Sequence, residues 1–124
     1  MGKIYTFKIS PFSAPRMTRA DRWKKRPCVL AYFAWKDEVK RLAKILKYEL
    51  TPVLNIIFFV PMADSWSAKK KARMNGKPHQ QRPDRDNYLK AFQDAFDVDD
   101  SFIWDGRTTK VWGYVGQIQV FTDE

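Results

Sequence analysis

The sequence predicts an α+β fold: a small mixed β-sheet of about four strands with two main helices packed on it, in the order β-α-β-α-β-β. Three observations predict it. Residues 32–46 and 88–96 repeat apolar side chains at helical spacing, a run of β-branched and aromatic residues at 53–60 separates them, and the last third of the chain breaks into short β-prone runs around Gly106, Gly113 and Gly116. With 124 residues, 44% of them hydrophobic, the chain reads as one domain over 1–124 with enough apolar area for its own core.

In chain order, residues 3–10 alternate Ile4, Phe7 and Ile9 loosely with polar residues and stop at Pro11, as an opening strand would. Residues 11–27 read as a loop in which Arg16, Arg19, Arg22, Lys24, Lys25 and Arg26 surround Met17 and Trp23. That mixture suits phosphate contacts and stacking, or simply a flexible solubilising loop. From Cys28 to about Leu50, Tyr32, Trp35, Val39, Leu42 and Leu46 line one side and Lys36, Asp37, Lys40, Arg41, Lys44 and Lys47 the other, which predicts an amphipathic helix with its aromatics in the core. Thr51 and Pro52 end it. The run 53–60 is apolar on both parities and reads as a strand buried on both faces.

Residues 61–83 form a long basic excursion containing Lys69, Lys70, Lys71, Arg73 and Lys77, with a short helix over about 65–74 that a ligand would order. His79, the one histidine, reads as a surface residue. A second helix opens at Pro83-Asp84-Arg85-Asp86-Asn87; Tyr88, Leu89, Phe92, Ala95 and Phe96 share one arc, and Asp86, Asn87, Lys90, Gln93 and Asp94 the opposite one. Residues 101–104, 107–112 and 117–122, with turns at Asp105-Gly106 and near 113–116, read as closing strands and a hairpin.

The formal charge of +9 is unevenly spread. Residues 1–83 hold 19 Lys/Arg against 5 Asp/Glu, whereas residues 84–124 hold 4 against 9, and the seven acids between positions 84 and 105 are all aspartate. A basic chain that concentrates aspartates in one stretch predicts a polyanion-binding surface around a cation site; the plainer alternative is a basic protein with one solvated acidic helix. The single cysteine, Cys28, excludes an internal disulfide and a multi-cysteine zinc site, and favours a reducing compartment. The start carries no apolar run of signal-peptide length, and 53–60 is far too short to span a bilayer, so a soluble, intracellular protein without a membrane partner is expected.

A hard divalent cation takes carboxylate oxygens, and Mg²⁺ needs only one or two from the protein. Two helical residues at the spacing of Asp84 and Asp86 diverge by about 200°, so these converge only if Asp84 lies in extended chain just before the helix. Asp86, Lys90 and Asp94 then form one polar stripe, and Asp99 or Asp100 supplies a third carboxylate. Asp84 as a plain N-cap and Asp86 as a helix-dipole charge are the ordinary alternatives, as is an i,i+4 pair for Lys90. A cation inside a basic surface points to phosphodiester hydrolysis, with Lys90 offsetting charge on the phosphate oxygens. One His and one Cys leave no nucleophile pairing, the five glycines have no phosphate-loop spacing, and nothing calls for an organic cofactor.

These residues resemble a known family. Arg82-Pro83-Asp84-Arg85-Asp86-Asn87-Tyr88-Leu89-Lys90, then Asp94-Ala95, then Asp99-Asp100-Ser101 with Ile103, are similar to the Pro-Asp-X-Asp-Asn-X-X-Lys … Asp-Asp-Ser/Ala signature of the RusA-type Holliday-junction resolvases. The pattern continues in an opening strand, a basic loop, a long helix, an apolar strand and Lys110-Val111-Trp112-Gly113. The resemblance implies a small homodimeric Mg²⁺-dependent endonuclease (Mn²⁺ as an alternative ion) that resolves four-way junction DNA in recombination and repair. It also implies a phage or prophage origin and a place in the bacterial cytoplasm. By position it puts the metal ligands on Asp84, Asp86 and Asp100 and the catalytic lysine on Lys90. DNA contacts are expected from Arg16, Arg19, Lys69, Lys70, Lys71, Arg73, Lys77, Arg82 and Arg85. Two symmetric cuts need two sites, hence a dimer, for which Trp66 and Phe102 are candidate exposed aromatics. The alternative of another class is a non-catalytic basic DNA-binding protein with a structural Asp cluster.

Overall fold

A computed structural model describes residues 2–15 and 26–122. The fold is α+β: β1 (Lys3–Phe7), α1 (Pro27–Leu46), β2 (Asn55–Pro61), α2 (Ala68–Met74), α3 (Arg85–Asp94), β3 (Thr108–Gly113) and β4 (Gln117–Thr122). The four strands make one mixed sheet in the order β1-β4-β2-β3. β4 runs antiparallel to β1 and to β2, with Phe7 opposite Ile118 and Ile56 opposite Val120, while β2 and β3 are parallel, with Phe58 opposite Lys110.

Both long helices pack on one face of this sheet. There Phe7, Ile56, Phe58, Ile118 and Val120 meet Tyr32, Trp35, Val39 and Ala43 of α1 and Tyr88, Ala91 and Phe92 of α3. Pro27 occupies the first turn of α1, where its missing N–H costs nothing. Lys47, at φ 57°, ends the helix by turning its N–H back to the carbonyls of Ala43 and Lys44, four residues before the expected end.

One expectation is sharpened and three are corrected. The short helix expected over about 65–74 is α2, a third helix beside the two main ones, started by Ser67, whose Oγ accepts from the Lys70 N–H at 3.1 Å. Residues 101–104 form a turn rather than a strand, because Asp99 accepts from the Phe102 N–H through its carbonyl and from Ser101 through its carboxylate. β3 and β4 do not form a hairpin: the apolar β2 lies between them and pairs with both. A glycine-marked break is compatible with a hairpin locally, but the sequence does not reveal which strand enters the gap. Nor is β2 buried on both faces. Ile56 and Phe58 are buried under the helices, whereas Ile57 and Phe59, on the opposite face, are half-buried.

The segment from Gly76 to His79 covers the outer edge of β3, with backbone bonds from Gly76 N to Trp112 O, Trp112 N to Lys77 O and His79 N to Lys110 O. Gly106, at φ +130°, brings the chain against the backbone of Leu54, and a Cβ there would strike it. Gly106→Ala is therefore expected to destabilise the fold by about 2 kcal/mol or more, read from the urea midpoint.

Candidate acidic site at the start of α3

Asp84 is the N-cap of α3 at φ −66° and ψ 153°, the extended geometry that the Asp-X-Asp spacing required, and Asp86 stands in the first turn. The Asp84 carboxylate does not cap the helix. The approach is instead fixed from β3: Lys110 Nζ donates to the carbonyls of Gln81 and Pro83 at 2.5 and 2.6 Å, and Arg85 Nη1 donates to Thr108 O at 3.3 Å. Burial lowers the pKa of Lys110 and the neighbouring Asp84 partly restores it. Asp84 and Asp86 are both exposed, and neither carboxylate has an ion pair or a hydrogen bond among the described residues.

One turn on, Lys90 Nζ lies 3.4 Å from Asp100 Oδ1 and 3.7 Å from Asp94 Oδ1. The other oxygen of Asp94 accepts a 2.8 Å hydrogen bond from the Tyr32 hydroxyl of α1. Burial, reinforced by that bond, makes the Tyr32 phenol lose its proton far less readily than usual. The adjacent acids of the second stretch separate cleanly. Asp99 Oδ1 accepts from the N–H and hydroxyl of Ser101 at 2.9 and 2.6 Å, which holds its pKa below the ordinary value, and its carbonyl accepts from Gln93 Nε2 at 2.9 Å. Asp99 is thus a turn-forming residue, and Asp100 is the one that meets Lys90.

Among the described residues no group of three His, Cys, Asp or Glu is arranged to hold a metal ion. Asp84, Asp86 and Asp100 are therefore not gathered as a ready ligand set; what is joined is Lys90 with Asp100 and Asp94. The donor chemistry does suit a hard cation. Asp84 and Asp86 offer oxygens that no group among the described residues engages, and Mg²⁺ takes only one or two such ligands beside water and phosphate.

Of the expected DNA contacts, Arg16 and Arg19 lie outside the described residues. Lys69, Lys70, Lys71 and Arg73 are on α2 and Lys77 follows it, with Lys70 Nζ 4.1 Å from the centroid of the Trp66 ring. Arg82 and Arg85 are exposed beside Asp84. Trp66 and Phe102 are half-buried rather than exposed, Trp66 because its ring packs 4.9 Å from that of Trp112. Among the described residues the exposed aromatics are Phe33, Trp104 and Tyr114.

His79 is likewise not a surface residue. It is 4% exposed, its ring lies 4.4 Å from that of Trp112, and its Nδ1 has no hydrogen-bond partner among the described residues. Burial, then the nearby Lys110, depress its pKa below 6.5. The folded state therefore binds fewer protons than the unfolded one in mild acid, so stability present above the ordinary histidine pKa is lost as pH falls through the lowered one. Between about pH 7 and 5 the urea midpoint of the protein should fall more than that of His79→Gln.

Sequence reasoning missed Tyr32 and Lys110. Tyr32 falls on an apolar stripe where only its hydroxyl signals more than packing. Lys110 was detectable in principle: it shares the helix-facing parity of β3 with Thr108 and Trp112, an unusual place for a lysine.

A family model described as endodeoxyribonuclease RusA matches residues 10–121, a span that holds both acid stretches, α2 and Lys110. No individual curated protein matches the chain. Membership implies an enzyme, a Holliday-junction endodeoxyribonuclease acting on DNA, from a group of nucleases that are generally metal-dependent. No described helix is long and apolar enough to cross a membrane. With nine-tenths of its length matched by that model, this chain belongs to the RusA endodeoxyribonuclease family.

Proposed function

We propose that the protein is a homodimeric, Mg²⁺-dependent nuclease that resolves four-way DNA junctions by paired phosphodiester hydrolysis. In this reading Asp84, Asp86 and Asp100 are the cation ligands, with Mn²⁺ as an alternative ion, and Lys90 is the catalytic lysine. The observation that supports it best is the 3.4 Å contact between Lys90 and Asp100, which ties the second acid stretch to the polar stripe of α3 just below two unpartnered carboxylates. A divalent ion, when bound, supplies an activated water and charge compensation at the scissile phosphate.

The residues have tasks of their own. Asp84 and Asp86 place negative charge at the positive end of α3, where a bare helix end would attract the phosphate itself. Lys90 is half-exposed and held only by two long contacts, so its ammonium can meet phosphate oxygens as charge grows on them. Lys69, Lys70, Lys71, Arg73, Lys77, Arg82 and Arg85, with Arg16 and Arg19, bind the DNA backbone, which makes affinity fall steeply with salt. The second copy supplies the symmetric cut.

Purified protein incubated with an end-labelled four-way junction should give paired symmetric nicks only when Mg²⁺ is present. Junction binding with no metal-dependent incision, the behaviour of a non-catalytic DNA-binding protein, would overturn the proposal.

A further inference from the structure

Asp94 stands where a carboxylate is electrostatically costly: it is the last residue of α3, next to the negative end of the helix dipole. Two groups offset that cost. Lys90 lies 3.7 Å from Oδ1, and the Tyr32 hydroxyl, brought from α1, donates to Oδ2 at 2.8 Å. Tyr32 is 3% exposed, its ring stacks 5.9 Å from Phe12, and Lys36 Nζ sits 4.6 Å from the ring centroid, so the hydroxyl is a fixed point and not a mobile donor. A buried phenol also needs a partner for its hydroxyl, and the one it has is this carboxylate.

The distances describe a shared ammonium. Charge-assisted N–H···O bonds close to about 2.7–2.9 Å when nothing opposes them, yet Lys90 stands 3.4 Å from one carboxylate and 3.7 Å from the other. The Tyr32 bond to Oδ2 sets the orientation of the Asp94 carboxylate and leaves Oδ1 as the oxygen nearest Lys90. Asp100, at 3.4 Å, is the nearer carboxylate but does not hold the lysine at full contact distance.

We infer that Tyr32 is a positioning residue for the hydrolysis: by fixing Asp94 it keeps the Lys90 ammonium suspended between Asp94 and Asp100, available to the phosphate. The inference rests on the role proposed for Lys90. Tyr32→Phe keeps the ring and removes only the hydroxyl, so its effect belongs in kcat rather than in the KM for junction DNA. A loss of about fivefold in kcat is expected, the scale of one hydrogen bond to a charged group partly open to water.

The test is a double-mutant cycle on kcat with Tyr32→Phe, Asp94→Ala and the pair, together with the Lys90 ammonium signal in ¹H–¹⁵N spectra, assigned by its loss in Lys90→Arg. If Tyr32 acts through Asp94, Tyr32→Phe lowers kcat at unchanged KM in the native background but changes nothing further once Asp94 is Ala. A merely structural role would instead lower stability and leave the two effects multiplicative. Multiplicative effects on kcat, or an unchanged kcat in Tyr32→Phe, overturn the inference. Should the native protein cut no junction, the nuclease reading fails by itself and the ammonium signal decides the inference. A Lys90 signal weakened by Tyr32→Phe only while Asp94 is present upholds it, and an unchanged signal overturns it.

Discussion

Asp86→Asn is expected to slow junction incision by about a hundredfold or more while leaving junction binding intact or slightly tighter. Asparagine keeps the shape of the side chain and one oxygen but loses the charge, and a neutral amide oxygen is a poor substitute where Mg²⁺ takes few protein ligands. The fold has little to lose. Asp86 is exposed and has no partner among the described residues, so its contribution to stability there is its favourable place at the helix N-terminus, about 0.3–1 kcal/mol. Binding should persist because removing a negative charge beside a phosphate relieves repulsion. Gel-shift affinity and single-turnover cleavage on the same junction separate the two quantities. Native-like incision by Asp86→Asn would remove this carboxylate from the proposed site.

Phe92→Ala is expected to remove about 3–5 kcal/mol of stability, the cost of emptying a fully buried aromatic position. Phe92 is 0% exposed, and its ring meets Phe7 of β1 at 5.4 Å, Phe96 at 5.1 Å and Tyr48 at 6.4 Å. It lies across α3 from Lys90 and Asp86, so it touches no charged group of the site. Its loss nonetheless loosens the one element that carries Asp86, Lys90 and Asp94 together. Against a total of about 5–15 kcal/mol for a domain of ordinary stability, the change is large enough to show as a much lower urea midpoint and as nuclease activity that fails at lower temperature. A midpoint within experimental error of the native one would contradict the packing described here.

Local chemistry was the part of this molecule that could be read in advance. The start of α3 after Pro83, with Asp84 extended and Asp86 helical, follows from punctuation and geometry within a few residues. So do the stripe of α1 and the bounds of β4. What escaped depends on partners distant in sequence. The break at 113–116 fits a hairpin until β2 is known to lie between the flanking strands. His79 looks like a loop histidine until the ring of Trp112 is seen against it. Asp99 and Asp100 are indistinguishable as letters, and only the turn at Ser101 assigns one to the backbone and the other to Lys90. Tyr32 and Asp94 are 62 positions apart, and nothing in either neighbourhood announces the other.

The parallel pairing of β2 with β3 gives the acids a particular history during folding. Every aspartate from position 84 to 105 lies on the crossover between those two strands. Joining strands so far apart in sequence is a slow, long-range step. The same crossover carries α3, whose Tyr88 and Phe92 belong to the core, so the aspartates come to the sheet together with part of the core itself. Repulsion among these side chains is therefore met while apolar surface is being buried, and that burial is the term that offsets it.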